Sequence, residues 1–272
     1  MQKNAIVLAA GKGTRMHSEL PKVLHKILEV PMVEFIVHHL QEAGAEKIIT
    51  ITGYGHAQVE KVLAGQCDFA LQEPQLGTGH AVMQAKQLEN EDGATIVING
   101  DAPVIQTDTL VSLYEGVKNA DMAILTTILD EAASYGRIVR NRQGQVLKVV
   151  EAKDASKKEK EIHEINTGIY AFQNKALFAG LKELTADNAQ HEYYITDLVE
   201  IFLKKGLQVK AIIAPDPNEM QGVNDPVELA KASTWLREKI NHAWMKAGVT
   251  LVDPLATYIG PYVRIGHDVV IH

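Results

Sequence analysis

The 272-residue chain predicts an α/β protein built on a mostly parallel, doubly wound sheet, followed by a long helix and a short repeat. Three observations lead there. Short apolar runs recur at 5–10, 47–51 and 94–98, as expected of strands buried on both faces. Stretches with helical spacing lie between them, and strands alternating with helices imply right-handed crossovers. The first run breaks into Gly11-Lys12-Gly13-Thr14-Arg15-Met16, and ligands of such sheets bind beyond the carboxyl ends of the strands.

In chain order, Pro31 opens a helix with Met32, Ile36, Leu40 and Ala43 on one stripe, and Gly44 ends it. A strand at 47–51, a short helix at 56–63 and a short strand at 69–71 follow. The open loop at 72–80 leads into a helix over 81–88. After the strand at 94–98 come a helix over 107–118 and a strand over 122–129. The segments 135–140 and 146–150 predict a hairpin through Asn141-Arg142-Gln143-Gly144. A charged stretch at 156–161 reads as a solvated helix or loop, and 165–172 as another strand, so that this β-rich subregion forms the second wall of a cleft. A helix containing Leu198, Ile201 and Phe202 and a strand at 209–214 precede a helix that begins at Pro226, is capped by Asp225, and runs to 247. Ile259-Gly260, Ile265-Gly266 and Ile271 recur every six residues, the period of a left-handed β-helix.

The composition narrows the function. A net charge of −7 excludes a nucleic-acid polymer as the expected partner. The single Cys67 excludes an internal disulfide framework and fits a reducing, cytoplasmic setting. No apolar run has membrane-spanning length, so no membrane insertion is expected. His163 and His191 lack the spacing of a zinc site.

Four loops carry chemistry. In the first, glycines bring backbone N–H groups close to an anion, while Arg15 and Lys22 add a planar and a point charge, which suits a phosphate chain. The loop lacks the third glycine of a dinucleotide fingerprint and is not a P-loop. Read alone, G-x-G is equally an ordinary turn. Gln72 offers the donor and acceptor that the imide edge of uracil requires, and Gly77 permits close approach to a flat base; a solvated loop reads the same way. Asp101, at a strand tip in Asn99-Gly100-Asp101-Ala102-Pro103, suits Mg²⁺, although a turn aspartate before proline also fits. Gly136, Glu151 and Asn166 have the chemistry to bind sugar hydroxyls and amides, but nothing local brings them together.

The strings L-A-A-G-K-G-T-R-M with P-K, L-Q-E-P-Q-L-G-T-G-H-A, N-G-D-A-P, Y-G-R-I, V-E-A-K-D-A, I-N-T-G-I-Y, E-Y-Y-I-T-D and G-V-N occur in that order. Together they resemble the sugar-nucleotide pyrophosphorylases, and most closely the uridylyltransferase half of bifunctional N-acetylglucosamine-1-phosphate uridylyltransferase/glucosamine-1-phosphate acetyltransferases. The resemblance implies a Rossmann-like nucleotidylyltransferase fold at 1–226 with a β-rich sugar-binding subregion, a linker helix at 227–249 and the start of a β-helix at 250–272. It implies that UTP and N-acetylglucosamine 1-phosphate give UDP-N-acetylglucosamine and pyrophosphate, with Mg²⁺ on Asp101 and Asn224. Arg15 and Lys22 would be catalytic. Leu8, Ala9, Ala10, Gly11, Lys22, Gln72, Gly77, Thr78, Asn99, Gly100, Asp101, Gly136, Glu151, Asn166 and Asn224 would bind substrate. Asn99 departs from the commoner Y-G-D string, which weakens it as a site residue. The E-Y-Y-I-T-D segment is given no chemistry, aromatic packing being sufficient. The one partial hexapeptide coil is read as a truncation, without acetyltransferase activity, frayed at its end and monomeric where the full-length family forms a homotrimer. A same-fold enzyme using CTP, dTTP or glucose 1-phosphate, a silent sugar-nucleotide sensor and a hexapeptide scaffold remain as alternatives.

Overall fold

A computed structural model describes residues 1–132, 135–188, 190–220 and 222–272. The strands are β1 (Lys3–Ala9), β2 (Lys26–Ile27), β3 (Val30–Pro31), β4 (Lys47–Thr52), β5 (Asp68–Leu71), β6 (Ala94–Asn99), β7 (Met122–Ile128), β8 (Arg137–Arg140), β9 (Val146–Val150), β10 (Glu164–Gln173), β11 (Val209–Ile213), β12 (Thr250–Leu251) and β13 (Val270–Ile271). The helices are α1 (Met32–Glu42), α2 (His56–Val62), α3 (Thr78–Met83), α4 (Thr107–Gly116), α5 (Lys157–Lys160), α6 (Asn174–Leu181), α7 (Asp197–Lys204) and α8 (Pro226–Lys246).

The main sheet runs β11-β7-β10-β6-β1-β4-β5. Strand β1 is parallel to β4 and β6, β4 to β5, and β11 to β7. Successive side chains of a strand point to opposite faces. Ala5, Val7 and Ala9 therefore enter one core with helices α1, α2 and α4, while Ile6 and Ala10 enter another with α3, α6 and α7. Burial on both faces accounts for the continuous apolar runs.

The expected doubly wound sheet is present, and β10 joins the β-rich subregion to it. It lies between β6 and β7 and is antiparallel to both, so it belongs to the main sheet and not to a separate wall. The β8–β9 hairpin attaches to its beginning through Ile165 opposite Arg137. Because β10 runs against its neighbours, Asn166 and Gly168 at its start sit at the end of the sheet where β1 and β6 finish. The register shifts between Asn166 and Tyr170, Gly168 adopts φ 78°, and Thr167 Oγ1 donates to the Leu125 carbonyl.

Local differences are smaller. Helix α3 begins at Thr78, earlier than expected, and stops at Met83; a separate 3₁₀ turn at Lys86–Leu88 completes the segment. Helix α6 and the β2–β3 hairpin carry no strong signal in the sequence, and Leu28 and Glu29 take left-handed conformations in that hairpin's turn. The charged stretch forms α5, with a capping box between Ser156 and Glu159. Asp225 caps α8 as expected, its Oδ1 accepting from the Val227 and Glu228 backbone N–H groups. Beyond α8, β12 and β13 pair in parallel, and Ile259, Ile265 and Ile271 pack with Val249, Leu251, Ile240 and Trp244.

Candidate active site

The parallel strands β1, β4, β5 and β6 all end at one edge, which brings four sequence-distant loops together. Gly100 seats the β6 loop against β1: its N–H donates to the Leu8 carbonyl at 2.8 Å, and a Cβ there would lie 3.0 Å from that oxygen and from Val23 Cγ1. Gly13, at φ 67°, has no room for a Cβ because Lys22 Cβ fills the space. Gly11 differs. It is exposed, with nothing within 4 Å of its missing Cβ, so no contact inside the chain demands glycine there.

Lys22 follows buried Pro21 and precedes buried Val23 and Leu24, which anchor the 3₁₀ turn that carries it. Its Nζ pairs with the Asp101 carboxylate and donates to Asn224 Oδ1 at 3.1 Å. Arg15 Nη2 donates to the same Asn224 oxygen at 2.9 Å. Asn224 is held in turn by its own N–H on Glu228 Oε2 at 2.7 Å, while the Val223 N–H reaches the Asp101 carbonyl at 2.8 Å. Four residues drawn from three distant segments thus converge on one point. Gln221, the preceding residue of the G-V-N string, lies outside the described residues.

This point fits a hard cation. Its oxygens are one carboxylate and one amide, and they already share a cationic partner. Among the described residues no group of three or more His, Cys, Asp and Glu side chains could hold a metal unaided. These two oxygens are of the type that Mg²⁺ would use, since it takes one or two protein oxygens and completes its shell with water and phosphate.

On one side of this point is a cavity of about 350 Å³ lined by Leu8, Ala9, Ala10, Gly11, Gln72 and Gly77, among others. Gln72 is 5% exposed, and its Nε2 donates to the Gly77 carbonyl at 2.9 Å. Gly77 adopts φ 99°, and a Cβ on it would lie 2.6 Å from the Tyr193 carbonyl. The chain's own packing therefore demands this glycine, a reason the sequence reading, which invoked only approach to a base, did not contain. Gln75 donates to the Ala10 carbonyl and lines the same cavity. It stands in the quoted string but was given no role.

On the other side, a cavity of about 230 Å³ is lined by Asp101, Tyr135, Gly136, Glu151, Asn166 and Asn224, among others. A larger, contiguous cavity of about 610 Å³ shares Glu151 and Asn166 and adds Gln190 and Tyr194. The hairpin explains the assembly of these distant residues: the Asn166 N–H donates to the Gly136 carbonyl at 2.9 Å, and the missing Cβ of Gly136 faces Glu151 Oε2. Burial pushes the Glu151 carboxyl above its ordinary range, with Asp154 and Asp197 adding to the effect. The Asn166 amide has internal work as well, donating to the Tyr170 hydroxyl at 2.7 Å and accepting from the Gly168 N–H.

Asn99 lines all three cavities, and its Nδ2 occupies the space that a Cβ on Gly168 would need. The end of β6 thus places Asn99 where the three cavities meet. Thr78 lines two of the cavities and accepts the Ile195 N–H through Oγ1. Tyr194 also lines two, although its segment was read as packing alone. Tyr135 borders the charged point, and burial, Glu228 and Asp101 raise its hydroxyl against the opposing effect of Arg15. Among the described residues no helix is long and apolar enough to cross a membrane.

Comparison with known proteins agrees with this geometry. The family described as Nucleotidyl transferase matches residues 4–248. "Bifunctional protein GlmU" of Limosilactobacillus reuteri is 49% identical over 273 residues, covering 99% of this chain and 60% of the relative. The protein of the same name from Geobacillus thermodenitrificans is 48% identical over 275 residues, covering 100% and 60%. The chain thus spans about 60% of the length of these curated relatives. A Bacillus anthracis crystal structure assigned as a glucose-1-phosphate thymidylyltransferase superposes with a TM-score of 0.68 at 23% identity, covering 86% of this chain and 94% of that one, a likeness of fold. With the family match spanning most of its length, the chain belongs to the nucleotidyl transferase family.

Proposed function

We propose that the chain transfers the uridylyl group of UTP to N-acetylglucosamine 1-phosphate, giving UDP-N-acetylglucosamine and pyrophosphate, with Mg²⁺ as cofactor. The observation that carries this reading is the convergence of Arg15, Lys22, Asp101 and Asn224 between a cavity bordered by the glycine loop and Gln72 and a cavity bordered by Glu151 and Asn166. A nucleotide laid along the first cavity and a sugar phosphate in the second would bring their phosphates together at that point. The choice of this substrate pair rests on the ordered strings and their resemblance to the uridylyltransferases, and the family match supports nucleotidyl transfer.

The reaction is an in-line displacement: an oxygen of the sugar phosphate forms a bond to the α-phosphorus of UTP as the bond to pyrophosphate breaks. The attacking phosphate is already ionised at neutral pH, so no side chain need remove a proton. The protein's contribution is orientation and charge stabilisation. Lys22 and Arg15 supply fixed positive charge against phosphate oxygens, Arg15 as a planar donor and Lys22 as a point charge. Asp101 and Asn224 would hold the Mg²⁺, which when bound neutralises phosphate charge. Lys22 contacts both of those oxygens, and its ammonium would turn from them to the phosphates.

Pyrophosphate release from UTP and N-acetylglucosamine 1-phosphate tests the proposal, with CTP, dTTP and glucose 1-phosphate as parallel substrates. Asp101→Ala is expected to lower kcat/KM by about 10²–10³-fold, the usual cost of losing one preorganised electrostatic group. Release selective for another pair would move the substrate assignment. Binding of UDP-N-acetylglucosamine without release from any pair would favour a silent sensor.

A further inference from the structure

Resting on the uridine reading above, we propose that His80 is the positioning residue that makes the base pocket selective: it locks the Gln72 amide with its carbonyl oxygen turned toward the nucleotide cavity. The argument begins at Gln72, which is 95% buried at the cavity wall. Its Nε2 lies 2.9 Å from the Gly77 carbonyl, which can only accept, so that end of the amide is the NH₂. The same nitrogen is 3.2 Å from His80 Nδ1. One amide hydrogen thus serves Gly77 and the other needs an acceptor, which a neutral imidazole provides when its proton is on Nε2.

The other ring edge makes a competing demand on the same ring. Gln84 Nε2 is 3.2 Å from His80 Nε2, but it already has an acceptor in the His80 carbonyl at 2.9 Å. A neutral ring accepts at only one nitrogen. Gln84 is half-buried and one of its two amide hydrogens is already served, whereas the second amide hydrogen of the more deeply buried Gln72 would be left without a partner. Burial therefore favours acceptance at Nδ1. The ring is held in place by α3 and by Tyr193, whose ring centroid is 6.2 Å away at an interplanar angle of 32°.

Specificity follows from the lock. Gln72 Oε1 takes no hydrogen bond among the described residues, and Gln72 lines the nucleotide cavity. Turning the amide over would set Oε1 against two acceptors, the Gly77 carbonyl and the Nδ1 lone pair. The locked pocket consequently presents an acceptor. It selects a pyrimidine whose ring N3 carries a hydrogen, as in uracil, and disfavours cytosine, whose N3 is itself an acceptor. Gly77 alone restrains the amide at one hydrogen; His80 restrains the second.

The test compares His80→Phe, which keeps a packed ring without an acceptor, with His80→Asn, whose amide oxygen can occupy the place of Nδ1. Two ratios are read: UTP over CTP in kcat/KM, and UTP over CTP in calorimetric affinity without sugar phosphate. His80→Phe is expected to lower both ratios about tenfold, the worth of one neutral hydrogen bond, and His80→Asn to restore most of the loss. The KM for N-acetylglucosamine 1-phosphate should stay within about twofold of wild type in each. If His80 only packs, Phe will preserve the ratios and Asn will not, and the inference is overturned; equal losses for both nucleotides overturn it as well. His80→Leu replaces the Phe variant should that protein not fold. A wild type that binds both nucleotides equally overturns the uridine reading along with this one, whereas a selective wild type with an equally selective His80→Phe overturns this one alone.

Discussion

Glu151 shows at the scale of one residue how the cleft trades stability for chemistry. Its carboxyl is raised first by burial and then by Asp154 and Asp197. A carboxylate whose folded value lies above its unfolded one favours the fold while protonated, and that stability is lost as pH rises through the folded value. At neutral pH the ionised group therefore costs stability. Glu151→Gln removes the cost, and thermal melts are expected to show the variant stabilised relative to wild type at pH 7 but not at pH 4. The same substitution should raise the KM for the sugar phosphate, as expected where a site is kept at the expense of stability. A variant no more stable at pH 7 than at pH 4, relative to wild type, would show that the burial carries no such cost.

At the scale of elements, the start of α8 is tied to the point where Arg15, Lys22, Asp101 and Asn224 meet. Asp225 Oδ1 accepts two N–H groups of the first turn, and Glu228 in that turn accepts the N–H of Asn224. The cap thereby fixes the residue whose side chain meets Arg15 and Lys22. Asp225→Ala is expected to lower unfolding stability by about 1 kcal/mol in urea titrations, the ordinary value of an N-cap. It should also reduce kcat/KM, while Asp225→Asn, which keeps a capping oxygen, should retain both. Loss of stability with unchanged kcat/KM would separate the cap from the site.

At the scale of the whole molecule, the cleft depends on packing far from it. Ile27, Met32, Phe35, Val104, Val223, Ala232 and Leu236 form one buried cluster joining the β2–β3 hairpin, α1 and α8. Val223 places the neighbouring Asn224, so this cluster carries one wall of the charged point. Phe35 is 1% exposed, and its ring stacks at 6.4 Å on Tyr262 of the terminal segment. Phe35→Ala is expected to cost about 3–5 kcal/mol, read as a lower denaturant midpoint with little change in slope. A cost below about 1 kcal/mol would mean that α8 and the terminal segment are held in place by other contacts.

The sequence by itself determined those parts whose cause is local. The double-sided apolarity of β1, β4 and β6, the stripe of α1, the Asn141–Gly144 turn and the Asp225 cap are written in neighbouring residues. The ordered strings carried the family and singled out Arg15, Lys22, Asp101 and Asn224, which the fold brings together. Only the tertiary structure decided what depends on partners far along the chain. Nothing within residues 164–173 tells β10 to lie antiparallel between β6 and β7, since a strand's neighbours are chosen by long-range pairing. That placement sets Gly168 beside Asn99 and brings Asn166, Gly136 and Glu151 to the same cavity as Asn99. His80 was likewise visible as a letter in a string, but its contact with Gln72 depends on helix α3 starting at Thr78. Residue chemistry is local, whereas a site is a set of distances, and the sheet supplies the distances.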